Sequence, residues 1–280
     1  MGIKFDNVNY AYPTIGTSKY ALIDVDLDIK AHGEFVAVVG HTGSGKSTMI
    51  QHMNALLIPT GGEIDVFGIK VSGREKLTPI RKKVGMVFQF PEYQLFEETV
   101  ERDIMFGPKN FGMSDEDAKK KAREVLDLVG LDEDVLDKSP FNLSGGQMRR
   151  VAIAGILSME PDILILDEPT VGLDPQGQSE MMDLFKAIHE KTNQTIILVT
   201  HDMNVVSEYC NRVIVMKKAR KVFDGDPRDL FGSPGLIEDF NLDAPQYMKI
   251  MQKINEKLGT KLNDTVLSLS EIVAELKKIG

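Results

Sequence analysis

The chain holds a single cysteine, Cys210, among 280 residues, so no intramolecular disulfide can form and a reducing compartment is expected. No apolar run approaches the roughly 18–20 residues that cross a bilayer; Val151–Met159 is short and sits between Arg150 and Glu160. Lys4 and Asp6 interrupt any signal-peptide core. Positive charge is also in deficit. The 33 Lys and Arg residues against 42 Asp and Glu leave a net charge of −9, which argues against a broad surface for nucleic acid. Internal repeats, low-complexity tracts and long heptad arrays are missing as well. Secreted, membrane-spanning and disulfide-stapled classes fall away, and no nucleic-acid partner is expected. With 42% hydrophobic and 27% charged residues, the chain can bury an ordinary globular core.

Val25-Asp26-Leu27-Asp28-Ile29 alternates strictly, which places three apolar side chains on one face of a half-exposed strand. Phe35–Val39, Ile163–Leu166 and Thr195–Val199 are instead continuously apolar or nearly so, the pattern of strands covered on both faces. Between them the period becomes helical. Ala118, Ala122, Val125, Leu126 and Val129 recur at three- and four-residue spacing, with a capping-box-like Ser114-Asp115-Glu116-Asp117 before them and Gly130 after. Further helices are expected from about Ser144 to Met159 and from Pro175. Buried strands alternating with helices imply an α/β fold with a parallel sheet, interrupted by a helical subdomain at about 99–160. Beyond 235, Tyr247, Met251, Ile254 and Leu258 form one helical stripe, and Ile272, Val273, Leu276 and Ile279 a second. Residues 1–235 are expected as one domain and 236–280 as a helical appendage.

Gly40-His41-Thr42-Gly43-Ser44-Gly45-Lys46-Ser47-Thr48 fits the phosphate-binding P-loop pattern between a strand and a helix. Its glycines let the backbone curl N–H groups around phosphate oxygens, and a helix N-terminus adds partial positive charge. Lys46 is expected on the β- and γ-phosphates of ATP and the Ser47 hydroxyl on Mg²⁺. The apolar strand ending in Asp167-Glu168 supplies a carboxylate for the metal's hydration shell, then a second one that can orient or deprotonate water. Leu143-Ser144-Gly145-Gly146-Gln147 should open a helix, with Ser144 as its N-cap and two glycines leaving the first N–H groups open to an anion.

In this order the motifs resemble the P-loop, Walker B and signature of ATP-binding-cassette (ABC) ATPases over roughly residues 1–235. That resemblance implies a P-loop NTPase fold with a RecA-like parallel core, an antiparallel β subdomain, a helical signature subdomain and a small C-terminal helical extension. It places Tyr12 against adenine, and makes Gln89 the Q-loop glutamine at the metal and water. It identifies Val171-Gly172-Leu173-Asp174 as the D-loop and His201 as the switch histidine at the γ-phosphate. His52 and His189 lack such context and are expected to be solvated. One P-loop and one signature per chain imply a second ATPase cassette, because in the family the signature of one subunit completes the P-loop site of another.

Phe90-Pro91-Glu92-Tyr93-Gln94-Leu95-Phe96-Glu97-Glu98-Thr99-Val100, then Phe106-Gly107-Pro108-Lys109-Asn110, resembles the ATPases of energy-coupling factor (ECF) transporters. His41-Thr42 and the long loop between Tyr12 and Ala21 are closer to the second of their two paralogous ATPases. The resemblance implies a peripheral subunit on the cytoplasmic face of the cell membrane. It would power uptake through a transmembrane coupling protein and a substrate-binding membrane subunit. Tyr93, Leu95 and Phe96 are expected to dock the coupling protein, in a groove for a partner helix, and the C-terminal helices to hold two ATPases together. A cobalt or nickel importer ATPase, or another ABC importer subunit, is the nearest alternative. A soluble ABC ATPase acting on DNA or ribosomes is the alternative of another class, disfavoured by the charge.

Overall fold

The computed structural model describes residues 2–13, 19–73 and 76–278. Residues 14–18 of the loop after Tyr12, and Ile279 of the last apolar stripe, lie outside the described residues. The chain begins with strands β1 (Gly2–Ala11), β2 (Tyr20–Lys30) and β3 (Phe35–Val39), then helix α1 (Lys46–Met53). There follow β4 (Gly61–Val66), β5 (Ile69–Lys70), α2 (Thr78–Lys83), β6 (Val84–Val87), α3 (Val100–Asn110), α4 (Asp115–Val129) and α5 (Gly145–Leu157). Next come β7 (Ile163–Asp167), α6 (Pro175–Thr192), β8 (Thr195–Val199), α7 (Met203–Tyr209), β9 (Arg212–Lys217) and β10 (Arg220–Gly225). Helices α8 (Pro227–Phe231), α9 (Pro234–Phe240), α10 (Gln246–Leu258) and α11 (Leu269–Leu276) end it.

Two sheets follow from the two strand patterns. The alternating strands build an antiparallel sheet in the order β2-β1-β4-β5, with Phe5 opposite Leu27 and Ile3 opposite Ile29. The continuously apolar strands build the second, β10-β9-β3-β8-β7-β6, parallel except for the β10–β9 hairpin. Every residue of β3 and β8 is buried, as expected for central strands covered on both faces. Between the sheets, Ile3, Phe5, Val25 and Leu27 meet Val36, Val38, Ile165 and Ile197, with Met49 and Ile50 of α1 in the same core. The opposite face of the parallel sheet packs Leu164, Leu166 and Leu198 on apolar residues of α3, α4, α5 and α6.

Helices α3, α4 and α5 form the helical part. Gly130 takes the left-handed conformation that ends α4. Ser144 caps α5 in a complete capping box. At α4 the box is altered: Ser114 Oγ accepts from Asp117 N, but the Asp117 carboxylate turns to Ser114 Oγ, 2.7 Å away. Aspartate is one methylene shorter than the glutamate that would span back to the cap backbone.

The last two helices pack partly on their own chain. Met248 and Leu267 join Met203, Val213, Leu230 and Phe231 in one core, while Met251, Val266 and Ile272 form a smaller one. Leu258, Leu269 and Val273 stay exposed. Among the described residues no helix is long and apolar enough to cross a membrane.

Candidate active site

β3 runs straight into the P-loop. Gly40 has φ 137°, and a Cβ there would fall 2.1 Å from Met216 O; at Gly45, φ is 109° and a Cβ would fall 2.4 Å from Ala21 O. Only glycine fits such positions. The turn closes through Ser44 N donating to His41 O at 3.1 Å, and α1 starts at Lys46. Lys46 Nζ donates to the carbonyls of Gly40 (2.6 Å) and His41 (3.1 Å). Ser44 Oγ is buried and has no hydrogen-bond partner among the described residues.

β7 lies two strands from β3 and ends at Asp167, so sheet order brings the carboxylates to the P-loop. Glu168 turns out of the strand at φ 51°, and its N–H is tied to Val199 O at 3.1 Å. His201 follows β8, with Nδ1 3.0 Å from Glu168 Oε2 and 3.1 Å from Oε1. A carboxylate only accepts, so that nitrogen carries the proton of this contact. The His201 side chain is otherwise open, 75% exposed. Thr42, Gly43, Gly45, Lys46, Ser47 and Thr48 of the P-loop share one cavity of about 500 Å³ with Gln89, Asp167, Glu168 and His201, and Val171 of the expected D-loop lines it too. Gly40 and His41 line the adjoining cavity, again with Lys46, Glu168 and His201.

Burial sets the electrostatics here. It lowers the Lys46 ammonium below its ordinary range, against the pull of Glu168 and Asp167. It raises the Asp167 carboxyl, and the Glu168 charge raises it further while Lys46 opposes. Two adjacent carboxylates with one half-buried cation make a place where more positive charge is favoured. The oxygens of Ser47, Gln89 and Asp167 are hard donors that suit Mg²⁺, and the unpartnered Ser44 Oγ suits a phosphate acceptor.

Not every expected site residue lies here. Tyr12, just past β1, does not line the cavity; its ring stands edge-on to Tyr10, and its hydroxyl is 3.2 Å from Thr48 Oγ1. Ser144, Gly145, Gly146 and Gln147 start α5 away from the cavity. Ser144 Oγ accepts from Gln147 N at 3.3 Å, and Gln147 Oε1 from Ser144 N at 3.1 Å. A Cβ at Gly145 or Gly146 would meet nothing within 4 Å.

Three expectations are corrected. His52 is fully buried, not solvated: Nδ1 lies 2.7 Å from Thr48 O and the ring stands edge-on to Tyr10. His189 is half-buried, with Nδ1 2.7 Å from Gln194 O and its ring against Phe35. Both occupy the inward side of their helices. Leu95 is only 7% exposed and packs in the helical core, so it cannot be a docking surface, whereas Tyr93 is 83% exposed and Phe96 more than half.

Sequence reasoning passed over Arg149. At 3% exposure it grips Glu92 with two donors, at 3.0 and 2.8 Å, and also donates to the carbonyls of Pro169 and Val171. One side chain thus joins the signature helix, the segment after the Q-loop and the loop after Glu168. A signal existed: Arg149 shares a helical stripe with Ile153 and Leu157, both buried, so it had to point inward.

Residues 22–171 match the ABC transporter family. The chain is 51% identical to the energy-coupling factor transporter ATP-binding protein EcfA2 of Ligilactobacillus salivarius, over all of this chain and 98% of that one. Among solved structures, CbiO1 of Clostridium perfringens, part of an ABC transporter complex, superposes with a TM-score of 0.75 at 38% identity, covering 89% of this chain and 98% of that one. A dimeric ATP-binding cassette in a post-hydrolysis state, bound to ADP and Pi, superposes with a TM-score of 0.70 at 36% identity, over 80% of this chain and 98% of that one. A parallel sheet that delivers a P-loop, a carboxylate pair and a histidine to one cavity, with full-length likeness to the EcfA2 protein, places the chain in the ABC transporter family, among the ATP-binding proteins of energy-coupling factor transporters.

Proposed function

We propose that the chain is the ATP-hydrolysing subunit of an ECF-type importer, working as one of two paired cassettes at the cytoplasmic face of a cell membrane. The observation that carries this reading is the shared cavity of Lys46, Gln89, Asp167, Glu168 and His201, with the signature residues facing solvent elsewhere. The P-loop backbone and Lys46 hold the phosphates of ATP, and Tyr12 borders the P-loop where adenine can stack. Ser47, Gln89 and Asp167 would hold Mg²⁺, which supplies charge neutralisation at the phosphates when bound. Glu168, fixed by its backbone bond to Val199, accepts a proton from the attacking water. His201 donates to Glu168 and, being open, can turn toward the γ-phosphate. Ser144 and the N–H groups of Gly145 and Gly146, exposed at the start of α5, complete the site of the opposite cassette.

The membrane side is supported by a separate feature. Phe96, Phe106, Phe111 and Met159 line an apolar groove of about 360 Å³ on the helical part, with the Phe96 and Phe106 rings edge-on at 4.8 Å. Next to the exposed Tyr93, this fits a helix of a transmembrane coupling protein, which would in turn work with a substrate-binding membrane subunit. The exposed apolar residues of α10 and α11 fit contact with the second cassette.

Glu168→Gln tests the hydrolytic reading. Radiolabelled ATP should still bind, while turnover in the assembled transporter drops about 10²–10⁴-fold; normal turnover would remove Glu168 as the base. Ser144→Arg tests the pairing. In complexes with one mutant cassette, ATP should still bind at the mutant chain's own P-loop, and the defect should fall on the opposite site. A defect confined to the mutant's own P-loop would refute the trans arrangement.

A further inference from the structure

The loop that carries His201 is fastened to the C-terminal extension. Asp202 caps α7, its Oδ1 accepting from Asn204 N at 2.8 Å, and Thr200 Oγ1 accepts from Asp202 N at 3.1 Å. The Asn204 side chain then leaves this loop. Its Oδ1 accepts from the backbone N–H of Gln246, the first residue of α10, at 2.7 Å. The first N–H groups of a helix lack intrahelical partners, and the N-cap of α10 is Pro245, which makes no side-chain cap. Asn204 therefore supplies from another helix the cap that α10 does not provide for itself.

Two further observations place the same junction beside the reacting groups. Asn241, Leu242 and Asp243, the residues leading into α10, line a cavity of about 500 Å³ together with Lys46, Glu168 and His201. Directly behind the loop, Met203 is buried in one core with Met248 of α10 and Leu267. A polar bond on one side and a packed core on the other leave the His201 loop and the start of α10 little room to move separately.

We propose that Asn204 is a positioning residue for hydrolysis: by capping α10 it sets the His201 loop and the C-terminal extension as one body, so that displacement of either moves the other. This rests on the reading of His201 as part of the ATP site. The extension reports to that site through this junction, in which the Asn204 bond is the polar link beside the Met203–Met248 packing. Asn204 itself touches no reacting atom and acts only through His201.

The test removes each end of the bond separately. Asn204→Ala deletes the acceptor. Gln246→Pro deletes the donor while keeping the helix, since proline suits the first helical position, and the extended Pro245 (φ −53°, ψ 148°) tolerates a following proline. Each variant of the full chain in the assembled transporter should lower kcat about fivefold, the worth of one neutral hydrogen bond, with KM for ATP unchanged. The double variant should be no worse than either single one, and Asn204→Asp, which keeps an acceptor at a helix N-terminus, should restore the rate. Amide exchange on the full chain gives a readout that needs no turnover. ATP should alter protection at Tyr247 and Met248 in the parent but not in Asn204→Ala, with ATP still bound. Unchanged kcat in both single variants, additive losses in the double, or an ATP response that survives Asn204→Ala would each overturn the proposal. Failure of the Glu168→Gln test would instead remove the active-site reading and leave the exchange result standing on its own.

Discussion

At the scale of single residues, Arg149 and Glu92 are the most exacting pair outside the cavity. The Arg149 side chain is buried and that of Glu92 is 14% exposed, and the guanidinium also serves two carbonyls of the loop after Glu168. Arg149→Met would strand the half-buried Glu92 carboxylate without its cation, a cost of about 1–3 kcal/mol, seen as a lower melting temperature that Glu92→Gln in the same background partly recovers. An unchanged melting temperature for the single variant would show the pair to be idle. The pair also has a pH signature. Burial alone would raise the Glu92 carboxyl, but the hydrogen bonds and charge of Arg149 outweigh it and hold the group below its ordinary value. A depressed folded-state value gives stability that is present above the unfolded value of about 4.3 and lost as pH falls through the folded one. Acid titration of the melting temperature should show a smaller loss in the Arg149→Met/Glu92→Gln double variant than in the parent, because Asp224 and Glu271, also held below their ordinary values, remain. Neither partner could be paired from sequence, since they lie 57 positions apart and only tertiary packing joins them. The P-loop, Asp167 and Glu168 were readable because their chemistry is written in adjacent residues at the end of a strand. His52 was misread because its helix placement says nothing of the face it takes; Tyr10, far earlier in the chain, decides that.

At the scale of elements, the uninterrupted apolar runs of β3, β7 and β8 and the alternation in β2 were enough to assign two kinds of sheet position. The segment 91–96 was harder. It is a short 3-10 turn and loop with no repeating face, so nothing in its pattern separates Leu95, which turns into the core, from Tyr93 and Phe96, which face outward. The proposed docking surface accordingly rests on Tyr93, Phe96 and Phe106. Replacing these three by Ala should reduce transport and co-purification of membrane partners well beyond any change in ATP affinity, because the cavity holding Lys46 lies elsewhere. Hydrophobic anchors of this kind cost more than about 1 kcal/mol each when truncated. Intact pull-down of the triple variant would discard the groove as the docking site. Leu95→Ala would instead report on folding, by opening a cavity in the helical core.

At the scale of the whole molecule, the C-terminal helices bury part of their apolar surface on the main domain and leave Leu258, Leu269 and Val273 exposed. Met248 and Leu267 belong to the main core, so cutting the chain after 234 would uncover Leu230 and Phe231 and confuse pairing with stability. Replacing the exposed Leu258, Leu269 and Val273 by Asp avoids this. Sedimentation without nucleotide should show weaker association with the second cassette at an unchanged melting temperature. Equal association would confine the tail to packing on its own chain. Gly145 and Gly146 carry a different consequence. Both lie in the first turn of α5 with open space where a Cβ would stand, and glycine in a helix gives away a few tenths to about 1 kcal/mol relative to alanine. The chain's own fold asks for neither. A redesign scored on the thermal stability of one isolated chain would convert both to alanine, raise the melting temperature, and discard without warning the two residues that the proposed pairing of cassettes needs bare.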